Sequence, residues 1–268
     1  MITCELWQDS CYSGAYALIF EKIGKTKKKE DIMIDQLKQV DSRRLYQRIA
    51  DQIRALIESG RYPAGARLPP ERDLAVQLGV SRPSVREALI ALELDGSVEV
   101  RMGAGVYVCN APATSKQPVP AMGESPIELM QARVVLEGSV VMMACARCTS
   151  DALTVLRESL NGMRVAISEG SSPLQHDRQF HLGIAAMSGN TVLARLVGEL
   201  FDERHSPISS RLSVRAETPQ TWSEAIDEHE AILRALEGRD VMGAHTTMCR
   251  HLGASQLRWT EYGRKEWS

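Results

Sequence analysis

Between residues 43 and 108 the apolar spacing changes character several times, and the order of the changes leaves few folds open. Leu45, Ile49, Ile53, Leu56 and Ile57 fall three or four apart, one face of a helix over residues 43–59, and Gly60 follows as a stop. Tyr62-Pro63-Ala64-Gly65 has the composition of a turn. Leu74, Ala75 and Leu78 mark a short helix over residues 71–78, and Gly79 supplies a corner whose backbone angles other residues resist. Ser81 is placed to cap a further helix ending near Asp95, with Pro83 tolerated in its first turn and Val85, Ala88, Leu89 and Leu92 facing inward. Residues 98–101 and 106–108 are β-rich, and Met102-Gly103-Ala104-Gly105 between them permits a tight hairpin. Helix, helix, turn, helix, hairpin is the order of a winged helix-turn-helix, whose second paired helix enters the major groove of DNA.

Ser81, Arg82, Ser84 and Arg86, at the start of that last helix, are the side chains expected to be exposed towards DNA. Arginine can contact a guanine edge or a phosphate with two N–H groups at once, and serine hydroxyls can bind either. Arg72 on the preceding helix, and Arg101 with Gly103 in the wing, would flank the groove. Alternatively, these arginines are surface residues in ion pairs. Residues 41–110 carry ten arginines against nine acids, so charge alone favours that alternative. The element order, with arginines at the groove-facing positions, favours DNA.

The segments Arg67-Leu68-Pro69-Pro70-Glu71-Arg72-Asp73-Leu74-Ala75 and Val80-Ser81-Arg82-Pro83-Ser84-Val85-Arg86-Glu87-Ala88-Leu89 closely resemble the GntR superfamily of bacterial transcription regulators. That resemblance makes Arg72, Arg82 and Arg86 the counterparts of the family's DNA-contacting arginines, and Gly103 the wing-tip glycine that approaches the minor groove.

Residues 110–125, with Pro112, Pro118 and Pro120 among small and polar residues, are expected to form a linker. Beyond them no alternating strand pattern occurs, and helices fit residues 126–149, 151–169, 174–187, 190–212, 221–236 and 240–262. The expected fold is therefore mainly α: a winged helix-turn-helix over 41–109, then an all-α helical bundle over 126–262, with tails at 1–40 and 263–268.

Asp177 and His181 are four apart on one helical face, and His229 and His251 sit on two other predicted helices. A carboxylate and three imidazoles from three helices could converge in a bundle and hold a divalent metal with coordination positions open. A lone helical histidine is more often structural or solvated, so spacing alone leaves both readings standing. Asp177-Arg178-Gln179-Phe180-His181-Leu182, Ser188-Gly189-Asn190, Glu228-His229-Glu230-Ala231-Ile232-Leu233 and Arg250-His251-Leu252 resemble the ligand-binding FCD domain of the FadR group. That resemblance implies a metal held by Asp177, His181, His229 and His251, with zinc expected and nickel or manganese as alternatives. Arg133, in Arg133-Val134-Val135-Leu136-Glu137, matches the start of that domain's first helix. It could bind an effector carboxylate, or it could form an ion pair with Glu137 one turn away.

Other features have plainer readings. Cys145-Ala146-Arg147-Cys148 lies in an apolar helix without a thioredoxin-like strand before it, so small buried residues are expected. His176, His205 and His245 match no ligand position, and Trp222 is expected in packing or as a pocket wall. Six cysteines in 268 residues suit a reducing cytoplasm, and no run approaches the roughly 18 apolar residues of a membrane span. Residues 1–40 hold six of the eight lysines and no arginine, while all 24 arginines follow. Translation starting at Met33, after codons for Lys28-Lys29-Glu30-Asp31 that can spell a ribosome-binding sequence, would explain the switch. A disordered tail is the alternative.

These readings converge on an effector-responsive transcription factor, not an enzyme, that binds palindromic operator DNA as a homodimer. A metal beside Arg133 suits a small carboxylate. Leu68-Pro69-Pro70-Glu71-Arg72 and Arg86-Glu87-Ala88-Leu89-Ile90-Ala91-Leu92-Glu93 most resemble regulators of hexuronate use. The resemblance implies a repressor of sugar-acid catabolism released by a hexuronate or aldarate, with lactate-like acids as runner-up and an activator as the other sign. The rival from another class is a metal-dependent hydrolase fused to a DNA-binding module, in which the open metal activates water.

Overall fold

The computed structural model describes residues 44–101, 103–109 and 122–262. The tail with the expected start at Met33, residues 110–121 of the expected linker, and residues 263–268 lie outside the described residues.

Helix α1 (Leu45–Glu58) buries Tyr46, Ile49, Ala50 and Ile53. The inward stripe is turned from the expected one: Leu45 is exposed and Tyr46 takes the core position. Tyr46 can do so because its hydroxyl donates to Gly123 O at 2.9 Å, leaving no buried polar group unpaired. Helix α2 (Glu71–Leu78) ends on Gly79 in the left-handed conformation, φ 67°, as the corner requires. Helix α3 (Arg82–Leu94) starts from Ser81, whose hydroxyl accepts from Ser84 N.

Strands β1 (Val98–Arg101) and β2 (Gly105–Val108) pair antiparallel from Val98 opposite Val108 to Arg101 opposite Gly105. A third segment joins them. Val108 N donates to Ala66 O at 2.9 Å and Leu68 N to Val106 O at 2.8 Å, so the stretch after the Pro63-Ala64-Gly65 turn runs beside β2. The turn was legible in the sequence, but its use as a sheet edge was not, because Ala66-Arg67-Leu68 is too short to show alternation.

The second region comprises α4 (Pro126–Ala146), α5 (Ser150–Ser168), α6 (Leu174–Met187), α7 (Thr191–Asp202), a 3-10 turn (Glu203–His205), α8 (Pro207–Ala216), α9 (Pro219–Glu237) and α10 (Val241–Tyr262). Helix α4 is long and apolar enough by length and composition to cross a membrane, closer to that limit than the sequence reading allows. Here it packs against α10 and α6, with Arg133 and Glu137 buried along its inner face.

The single helix expected over 190–212 is instead α7, the 3-10 turn and α8. Pro207 is the cause: it lacks an N–H and disfavours helical angles at the residue before it, and Ser206 is extended at φ −62°, ψ 152°. The break redirects the chain. Ile208 and Leu212 of α8 join the apolar core of the winged helix, while Ala216 at its end belongs to the bundle core. Arg211 adds a two-pronged ion pair to Glu93 of α3, at 2.6 and 3.1 Å. At a second junction the buried Glu87 carboxylate of α3 accepts from Ser125 Oγ at 2.9 Å and Ile127 N at 3.2 Å, at the start of α4.

Candidate functional site

Helices α6, α9 and α10 bring Asp177, His181, His229 and His251 together, all buried, with one ligand atom from each inside a 4.8 Å cluster. The i, i+4 spacing on α6 puts His181 Nε2 3.6 Å from Asp177 Oδ1. His229 Nε2 lies 3.0 Å from the same oxygen and 3.4 Å from His181 Nε2. The His251 ring packs 4.1 Å from that of His229, centroid to centroid.

Each imidazole is oriented from outside the cluster. His229 Nδ1–H donates to Ala225 O at 2.6 Å, an acceptor that fixes the proton on Nδ1. His181 Nδ1–H donates to Glu137 Oε2 at 2.5 Å, and His251 Nδ1–H donates to Glu228 Oε2 at 2.8 Å. Three Nε2 lone pairs therefore face inward, and Asp177 Oδ1 is buried among them without a hydrogen-bond partner. Facing lone pairs around an unpaired carboxylate oxygen are unfavourable alone and complementary to a cation. The donor set fits a divalent metal.

Without a cation, the electrostatics favour a charged Asp177 and a neutral His251 but a more readily protonated His181. Burial pushes the Asp177 carboxyl up, but the imidazoles of His181 and His229 outweigh it and hold the group well below the usual carboxylate range. Glu137, also opposed by burial, is held down to about 2 by Arg133 and His181. Burial and the neighbouring His229 push His251 down to about 3 despite Glu228, so its ring is neutral at neutral pH, as a ligand must be. Burial lowers the His181 pKa, but Glu137 and Asp177 more than compensate and raise it.

A small cavity of about 30 Å³ lies beside this cluster, lined by Asp177 and His251 and by Arg204, Glu217, Trp222 and Arg258, among others. Trp222 thus serves as a wall. Arg204 Nη1 donates to Asp177 Oδ2 at 3.4 Å, and Arg258 grips Glu228 at 2.8 and 2.9 Å. The ion-pair reading of Arg133 is present: its Nε lies 2.7 Å from Glu137 Oε1 and its guanidinium 4.8 Å from the Phe201 ring centroid. Arg133 Nη2 is buried without a hydrogen-bond partner.

Residues that orient or line the site went unread in the sequence. Glu228 adjoins His229 in sequence but holds His251 from the next helix, a pairing no local spacing reveals. Arg204 was hidden inside a helix expected to be continuous. His176 contacts Gln179, His245 contacts Gly138 O, and neither they nor His205 join the cluster. Cys145 and Cys148 are buried free thiols whose pKa values burial pushes up, in keeping with a packing role.

In the winged helix, Arg72 is largely exposed, Arg82 is 42% exposed, and the Ser81 and Ser84 hydroxyls lie 2.8 Å apart at the start of α3. Arg101 projects from the wing over Tyr107, beside an exposed Gly103 at φ 68°. Arg86 requires a correction. It is 4% exposed, and its Nε and Nη2 grip the buried Glu71 carboxylate at 2.7 and 2.8 Å. Four residues beyond Arg82, it lies a turn further into α3, where the start of α2 covers it.

Comparison with known proteins gives two family matches: bacterial regulatory proteins, gntR family, over residues 45–108, and the FCD domain over residues 128–254. The chain is 35% identical over 228 residues to the Uxu operon transcriptional regulator of Escherichia coli K12, covering 82% of this chain and 89% of that protein. It is 33% identical over 227 residues to the Exu regulon transcriptional regulator of the same strain, covering 81% and 85%. A putative L-lactate dehydrogenase operon regulatory protein of that strain is 32% identical over 219 residues, covering 78% and 84%.

Proposed function

The chain belongs to the GntR family of bacterial transcription regulators with an FCD domain, and we propose that it represses a sugar-acid catabolic operon until a hexuronate-type acid releases it. In this reading it acts in the cytoplasm as a homodimer, with the two α3 helices set on the half-sites of a palindromic operator. Arg72, Ser81, Arg82 and Ser84 contact DNA from the helix pair, and Arg101 and Gly103 from the wing. Arg86 supports them by fixing Glu71, beside Arg72, against α3.

The observation that carries the effector reading is the Asp177–His181–His229–His251 cluster beside an arginine-lined cavity. Asp177, His181, His229 and His251 hold the metal, which supplies a Lewis-acidic position for a carboxylate or hydroxyl oxygen. Zinc suits three imidazoles and a carboxylate, with nickel or manganese as alternatives. Arg204, Glu217, Thr221 and Ser255 give the cavity a polar lining suited to an acid that also carries hydroxyl groups. That favours a polyhydroxylated acid over lactate, as do the relatives named for the Uxu operon and the Exu regulon. Arg133 orients Glu137, and through it His181, and its unpaired Nη2 is a donor for an effector oxygen.

Anisotropy of a labelled fragment from upstream of the gene tests this function. D-glucuronate or D-galacturonate should release the zinc-loaded protein, and L-lactate should not. Release by lactate alone would move the assignment to the other acid class, and no binding to the fragment would count against an operator at that place.

A further inference from the structure

Arg204 stands out among the charged groups near the cluster. Its side chain is only 9% exposed, and its Nε is buried without a hydrogen-bond partner. Nη2 donates to Glu217 Oε1 at 2.6 Å, and the guanidinium carbon lies 5.2 Å from the ring centroids of both Phe201 and Trp259. The Nε–Nη2 edge of a guanidinium is shaped for the two oxygens of one carboxylate, and here Glu217 occupies only half of it. The vacant half belongs to a residue lining the cavity beside Asp177 and His251.

The two partners bracket helix α8. Arg204 lies in the 3-10 turn just before it, and Glu217 is its C-terminal cap residue. The same helix is pinned to α3 by Arg211–Glu93 and by burial of Ile208 and Leu212 in the winged-helix core. One ion pair at the effector cavity thus closes a clasp around the element that touches the DNA-reading helix.

We infer that the effector carboxylate displaces Glu217 from Arg204, and that opening this clasp loosens α8 from α3 and lowers operator affinity. This rests on the small-carboxylate reading above and adds the residue that selects for the carboxylate and the route by which binding is felt. A ligand that prefers the open clasp must, by linkage, bind more tightly when the clasp is already weakened.

The test uses the full-length zinc-loaded protein with Glu217→Gln, Arg204→Gln and Arg204→Lys, titrated calorimetrically with D-glucuronate, with zinc content measured for each. Glu217→Gln should bind at least about fivefold more tightly than wild type. Arg204→Gln should lose at least about tenfold with zinc retained, and Arg204→Lys should not restore it, because an ammonium lacks the two-pronged edge. Unchanged or weaker binding by Glu217→Gln, or wild-type affinity in Arg204→Gln, would overturn the clasp. If the wild type holds zinc but takes no uronate, the sugar-acid assignment fails, and the ligand-free protein decides on the clasp. There Glu217→Gln should bind the upstream fragment more weakly than wild type, and equal affinity would overturn the inference.

Discussion

Two carboxylates outside the candidate ligand set orient two of its imidazoles. Glu137 and Glu228 each take an Nδ1–H, and each is itself gripped by an arginine, Arg133 or Arg258. Glu137→Gln keeps an acceptor but loses the charge, so zinc affinity should fall about 10- to 100-fold, measured by competition with a chromophoric chelator. Wild-type affinity would remove Glu137 from the design of the site. The winged helix offers a contrast between two arginines. Arg82→Ala should weaken operator binding by about 1–3 kcal/mol with folding intact. Arg86→Ala should strand a buried Glu71 charge and cost about 3–5 kcal/mol of stability. Urea denaturation beside operator titration separates the two, and equal stability would return Arg86 to the DNA-facing group. The convergence of these four residues was legible in the sequence because Asp177 and His181 share a helical face and the motifs around His229 and His251 resemble a known domain. The burial of Arg86 was not, since helical spacing says which face a residue occupies and not which neighbour covers it.

Individual elements carry the coupling between the two regions, and there the sequence was least informative. Apolar periodicity runs through residues 190–212 as though unbroken, and only Pro207 signals the turn that sends α8 towards the winged helix. Ile208 is fully buried in that helix's core. Ile208→Ala should cost about 2–5 kcal/mol in urea, through lost burial and the cavity left behind. A loss under about 0.5 kcal/mol would mean that α8 is not seated there. The other junction titrates. Burial pushes the Glu87 carboxyl from 4.5 up to about 7, aided by Glu128 and opposed by Ile127 N–H and the Ser125 hydroxyl. For an acid with a raised pKa, the folded state favours the protonated form. The stabilisation is complete below about pH 4.5 and is lost as pH rises through about 7. Glu87→Gln should therefore melt close to wild type at low pH and at least about 2 °C higher at pH 8. A melting difference independent of pH would contradict the buried-acid account.

Across the whole molecule, two regions with separate apolar cores are joined by α8 and by Glu87 at the head of α4. The winged-helix order of elements and the family were readable from the chain, because both rest on local patterns. Beyond Trp222 as a wall, the cavity at the cluster was not, because Arg204, Glu217 and Arg258 come from separate elements and no local spacing links them. The account makes the buried Asp177–His181–His229–His251 cluster the place where a small acid is sensed. Calorimetric titration of D-glucuronate into zinc-loaded protein and into the same protein stripped with a chelator tests that claim most directly. The account predicts binding to the loaded form and a loss of at least about tenfold on stripping, with far-ultraviolet circular dichroism showing the helices retained. Equal affinity in both forms would contradict it.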